Sequence, residues 1–154
     1  MARSQGAPFG RAWFWLCLAL LLHVSDEALT GFLGVYNPIV IAVRQRVPWL
    51  PLPTFDFYVW LGGLLVAVAV LLSLTRSASR GAAWLRPPAY VFAGLMIANA
   101  LGHTAGAIGA RWLLPPLHLM PGLLSSPLLL AASIYLICQL RSRPAKPALA
   151  PEVR

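Results

Sequence analysis

The sequence predicts an all-α membrane protein, a bundle of four transmembrane helices, and three observations carry that expectation. Of its 154 residues, 59% are hydrophobic and only 10% are charged, whereas soluble domains carry about 25% charged residues. The apolar residues gather in long stretches separated by short basic runs, the pattern of spans and loops. Three of these stretches run without a formally charged residue for about the 20 positions that a helix needs to cross a hydrocarbon core of about 30 Å. A water-facing surface cannot be built from so few charges, which excludes a soluble enzyme.

The elements follow in chain order. Residues 1–11 are expected as a cytoplasmic N-terminal segment and 12–140 as the transmembrane domain, with spans at about 12–33, 57–74, 89–110 and 117–140. The first span has two readings, because its purely apolar run at 12–22 is too short to cross and ends in His23-Val24-Ser25-Asp26-Glu27. Arg3 and Arg11 followed by WFWLCLALLL could be a signal peptide, but no small-x-small cleavage site follows. The preferred reading continues the helix through the polar run, which places a histidine and two carboxylates inside the membrane.

The first outer loop, about 34–56, is too long for a simple turn. Asn37-Pro38 reads there as a cap and first helical position, so that IVIAVRQRV forms a short interfacial helix. Trp49, Tyr58 and Trp60 lie nearby as an aromatic belt would. Pro115-Pro116, Pro121-Gly122 and Ser125-Ser126-Pro127 predict a kinked or late-starting fourth helix. Residues 141–154 are Pro-rich without a periodic apolar face, and are expected as a disordered cytoplasmic tail.

Charge sets the orientation. With four spans, Arg3, Arg11, Arg76, Arg80, Arg86, Arg141, Arg143, Lys146 and Arg154 fall on one side, and Arg44, Arg46 and Arg111 on the other. The excess marks the first side as cytoplasmic, giving a multi-pass cell-membrane protein with both termini inside. The near-exclusive use of arginine over lysine points to a GC-rich bacterial source. The net charge of +8 is dispersed among loops rather than concentrated in a stripe, which argues against nucleic acid as a partner. Cys17 and Cys138 lack any CxxC or metal-ligand spacing and read as small apolar residues.

The chemistry lies in a polar constellation. His23, Asp26 and Glu27 are three and four residues apart and share one helical face, as do Asn99 and His103. Counted from Ala12 and Ala89, His23 and Asn99 lie roughly 15–16 Å deep, and Glu27 and His103 roughly 21–22 Å. The two pairs are level. An ionisable group near the bilayer centre costs about 2.5–3.5 kcal/mol on insertion scales, so such groups face protein or a wet cavity and mark function by default. His23, Glu27 and His103 are candidate ligands for a divalent transition metal, since imidazole and carboxylate suit Zn, Fe or Mn. Glu27 and His103 are equally candidates for metal-free acid/base catalysis on a lipid-like substrate. Asn99, Asp26 and Ser125 are the candidate binding residues lining the same cavity. The remaining alternative is a non-enzymatic membrane subunit or binding module whose cluster locks the bundle. Gly94, Ala98, Gly102, Gly106 and Ala110 form a small-residue stripe on the third span, which permits close helix packing and an oligomer.

The run HVSDEALTGF at 23–32, followed by NALGH at 99–103 and PGLLSS at 121–126, resembles the HXXEE-domain family of small integral membrane proteins. Asp26 stands where that family has its first glutamate, and the shorter side chain reaches less far. The resemblance implies the topology and the polar site and brings no reaction with it.

Overall fold

The computed structural model describes residues 6–110 and 121–142, the side chains of residues 109 and 110 aside, and all regular structure among them is helical. The helices are α1 (Gly6–Leu29), α2 (Phe32–Arg46), α3 (Phe57–Ser73), α4 (Thr75–Ser79), α5 (Arg86–Ala110, preceded by a 3-10 turn at Ala83–Leu85) and α6 (Ser126–Arg141). Three helical stretches are long and apolar enough to cross a membrane: Gly6–Leu29, Phe57–Ser79 and Ala83–Ile108. Large apolar side chains face outward along them, Val66 of α3 at 65% exposure and Val91 of α5 at 62% among them. An apolar exterior on this scale suits lipid rather than water.

The buried element is α1. Ala12, Trp13, Leu16, Leu20, His23, Val24 and Glu27 are buried, at the three-and-four spacing of one helical face. Trp13 anchors it, its ring edge-on to Phe92 of α5 with centroids 5.5 Å apart and its Nε1 donating to the Leu71 carbonyl of α3 at 2.8 Å. At the start of α1, Gly6 and Gly10 lie against Ser79, so closely that an added Cβ would collide with it. α6 packs on both α1 and α5, contributing Leu129, Ala132, Ser133 and Leu136 to the core. Arg86 at the start of α5 donates through Nη2 to the Leu140 carbonyl at 2.8 Å, satisfying a terminal carbonyl of α6. These contacts gather the starts of α1 and α5, the end of α6 and α4 at one end of the bundle.

Several boundaries differ from the expected ones. α1 begins at Gly6, so residues 6–11 belong to the helix, and it ends at Leu29 because Gly31 adopts φ 77°, a left-handed conformation that breaks a helix. The helix expected in the first outer loop starts at Phe32 and carries Pro38 inside it. Asn37 is not its cap: the Asn37 amide donates to the Phe55 carbonyl at 2.9 Å and accepts from the Phe55 N–H at 3.1 Å. α5 starts at Arg86 rather than 89. The fourth apolar helix is shortest, 16 residues or about 24 Å, because residues 121–125 form a turn in which Gly122 has φ 77°. Residues 117–120 of the expected span, Arg111, residues 1–5 and the tail beyond 142 lie outside the described residues.

Candidate metal centre

Three elements converge below the turn at 121–125. From α1, His23 and Glu27 stand one turn apart on the buried face, 0% and 5% exposed. From α5, His103 lies on the face that also buries Ala93 and Ala100. Glu27 Oε1 is 2.9 Å from His103 Nε2 and 3.6 Å from His23 Nε2. One ligand atom from each of the three residues lies within 4.8 Å of the others. The imidazoles meet edge to face, centroids 4.8 Å apart at 76°. The convergence expected of the three candidate ligands is therefore present.

The second ring of contacts fixes how His23 presents itself. Ser125 Oγ lies 2.8 Å from His23 Nδ1 and 2.7 Å from Asp26 Oδ2. A carboxylate has no proton to give, so the single Ser125 hydroxyl proton goes to Asp26 and its oxygen accepts from Nδ1–H of His23. In the neutral imidazole that donor count leaves Nε2 of His23 with a lone pair. It is fully buried and without a hydrogen-bond partner, and it faces the Glu27 carboxylate. Two electron-rich atoms 3.6 Å apart and shielded from solvent repel each other unless a metal ion or a proton lies between them. The ligands of a tetrahedral zinc ion are about 3.3–3.4 Å apart, from metal–ligand distances of about 2.0–2.1 Å. The two separations at Glu27 bracket that value.

Asp26 does further work. Its Oδ2 also accepts from the Ser125 backbone N–H at 3.0 Å, capping the N-terminus of α6 from another helix, where a carboxylate is favoured by the helix dipole. The Gly122 carbonyl receives the Ser126 hydroxyl at 2.7 Å and the Ser126 N–H at 3.1 Å, so the break in regular structure is internally satisfied. Irregular backbone inside a packed bundle is tolerated when its polar groups are paired in this way.

Three of the six candidate residues lie outside the ligand cluster. Asn99 is half-buried, and its side chain makes no hydrogen bond among the described residues; His23 is met by Ser125, not Asn99. Ser125 hydrogen-bonds both Asp26 and His23, and neither Ser125 nor Asp26 belongs to the ligand cluster. In the small-residue stripe, Gly94, Ala98 and Gly102 are exposed, and nothing lies within 4 Å of an added Cβ at either glycine, so these three positions pack against no other helix among the described residues. The side chain of Ala110 lies outside the described residues.

Gly122 and an aromatic wall are additional. A Cβ on Gly122 would stand 2.9 Å from His103 Cε1 and 3.0 Å from His23 Cε1. The only sequence signal for it is the Pro-Gly turn dipeptide. Phe32 packs against His103 with centroids 5.7 Å apart and stacks on Trp60 at 5.7 Å, closing the cluster on the α2 side. Comparison with protein-family models, with curated proteins and with solved structures finds no match.

Proposed function

We propose that this chain is a four-span membrane protein that holds one divalent transition metal inside its bundle through His23, Glu27 and His103. The observation that carries this is the buried, unpaired Nε2 of His23 facing Glu27 Oε1 beside His103. Two imidazoles and one carboxylate suit Zn, Fe or Mn. Three protein ligands leave a fourth position open, the condition for a catalytic rather than a purely structural ion. Asp26 and Ser125 are the outer partners that set the His23 tautomer, a role such residues play at metal-bound histidines. Such an ion would polarise a carbonyl or lower the pKa of a bound water. The proposal includes the HXXEE-type resemblance, whose histidine and second carboxylate are His23 and Glu27.

The 2.9 Å contact between Glu27 and His103 favours a second reading, metal-free proton transfer on a lipid-like substrate. Metal content separates the two. Protein purified in mild detergent without chelator is expected to carry about one Zn, Fe or Mn per chain by elemental analysis. If it is metal-free and none of the three ions raises its thermal stability, the metal reading is lost.

In this reading α1, the α3–α4 stretch and α5 cross the membrane, and α6 with the turn at 121–125 makes the fourth crossing. α2 lies at the outer interface with Arg44 and Arg46 in its last turn. Both termini are cytoplasmic in a multi-pass cell-membrane protein. Support comes from Arg76, Arg80, Arg86 and Arg141, which the Gly10–Ser79 and Arg86–Leu140 contacts bring to one end of the bundle. A reporter active only in the cytoplasm, fused at the C-terminus, is expected to be active; activity of a periplasm-only reporter there instead overturns this orientation.

A further inference from the structure

A groove of about 260 Å³ opens along the seam between α1 and α6, lined by Trp15, Ala19 and Leu22 on one side and Leu128, Ala131 and Tyr135 on the other. Its lining is almost wholly apolar. One turn beyond Leu22, the same face of α1 carries Asp26. Three residues before Leu128, α6 is preceded by Ser125. These two residues hydrogen-bond across the seam, so a carboxylate–hydroxyl pair lies just beyond the Leu22–Leu128 end of the apolar groove. From Asp26 to Trp15 is eleven positions, about 16 Å of helix. Half of a hydrocarbon core of about 30 Å is about 15 Å. The groove and its polar end thus have the length of one leaflet.

Asp26 also has capacity left. Both Ser125 donors go to Oδ2, and no hydrogen bond reaches Oδ1 among the described residues. The residue is half-buried, within reach of a headgroup. A carboxylate selects cationic N–H donors; a primary ammonium has three, whereas a quaternary ammonium has none. We propose that the α1–α6 groove binds one acyl chain of an outer-leaflet phosphatidylethanolamine whose ammonium group meets Asp26. The inference rests on the four-span reading and not on the metal, because His23 and Glu27 lie on the neighbouring, buried face of α1 and do not line the groove.

The test uses full-length protein in nanodiscs of equal parts phosphatidylethanolamine and phosphatidylcholine, with chelator throughout, and native mass spectrometry of the released protein. Wild type is expected to retain one lipid per chain, with phosphatidylethanolamine favoured at least about fivefold. Ala131→Trp fills the groove and is expected to reduce retention at least about tenfold. Ala131→Leu, a milder filling of the same exposed position, decides the matter if the tryptophan variant does not fold. Ile134→Trp, exposed and outside the groove lining, should retain lipid as wild type does. Asp26→Asn should keep the chain and lose the headgroup preference. His103→Ala should retain lipid normally, so loss of the metal reading leaves this result untouched. Equal retention in wild type and both Ala131 variants, or no headgroup preference in wild type, overturns the proposal.

Discussion

His103→Gln protein is expected to purify folded and to bind Zn, Fe or Mn at least about a hundredfold more weakly than wild type. The expectation follows from what glutamine keeps and what it loses. Its amide N–H can still donate to Glu27 Oε1, so the buried carboxylate is not left alone at a cost of about 1–3 kcal/mol or more. It offers no imidazole nitrogen to a metal. An outer partner of a metal ligand is worth roughly 10–100-fold in affinity, and a direct ligand is worth at least the upper figure. In wild type, an ion at a hundred times its Kd stabilises the fold by about 2.7 kcal/mol. That corresponds to a rise of roughly 5–10 °C in the unfolding midpoint of a chain this size. The variant should show almost none of this rise, by isothermal titration and by thermal melts on the same preparation. Glu27→Gln should behave alike. If both variants bind metal as wild type does, the cluster is not the site. If wild type binds no metal while Glu27→Gln abolishes turnover of a lipid-like substrate, proton transfer is the chemistry.

The part of the site legible in the sequence is the part that helical periodicity controls. His23 and Glu27 are four apart on an apolar helix, and counting about 1.5 Å per residue brought Glu27 level with His103; those two atoms are 2.9 Å apart. The same count paired His23 with Asn99 and missed, because depth does not say which chain arrives first. Ser125 arrives instead, from a position 102 residues away, on a turn whose path depends on the left-handed Gly122. No local pattern encodes a contact of that range. The helical character of 57–74 followed from its unbroken apolar run, and α3 matches it to within a residue. The start of α1 and the junction between α1 and α2 were misplaced, while the end of α2 at Arg46 lies within a residue of the expected one. Gly31 breaks the helix that the depth argument continued to 33, and Asn37 was read as a cap when its amide was needed by Phe55. The small-residue stripe shows a related limit: spacing identified a face capable of close packing, but α5 turns a different face, with Ala89, Phe92, Ala93 and Ala100, toward the core.

Gly122→Ala is expected to destabilise the protein by about 2–5 kcal/mol and to abolish metal binding together with it. Two costs act at this one position. The backbone has φ 77°, where a Cβ costs about 1–2 kcal/mol. The added carbon would also stand 2.9–3.0 Å from the rings of both His103 and His23, and overpacking of a tight site typically costs about 1–3 kcal/mol. Neither ring can move freely. His23 is held through Nδ1 by Ser125, and His103 is held through Nε2 by Glu27. Relief must therefore spread the ligand atoms apart or pull the turn, and with it Ser125, away from Asp26. Gly31→Ala supplies the comparison, because Gly31 has the same φ of 77° but nothing within 4 Å of an added Cβ. It should show the conformational cost alone, about 1–2 kcal/mol, with metal affinity unchanged. Unfolding in detergent and metal content, measured on both variants, separate strain from collision. If Gly122→Ala matches Gly31→Ala in both measurements, the turn does not press on the histidines, and the packing assigned here to the metal centre is wrong.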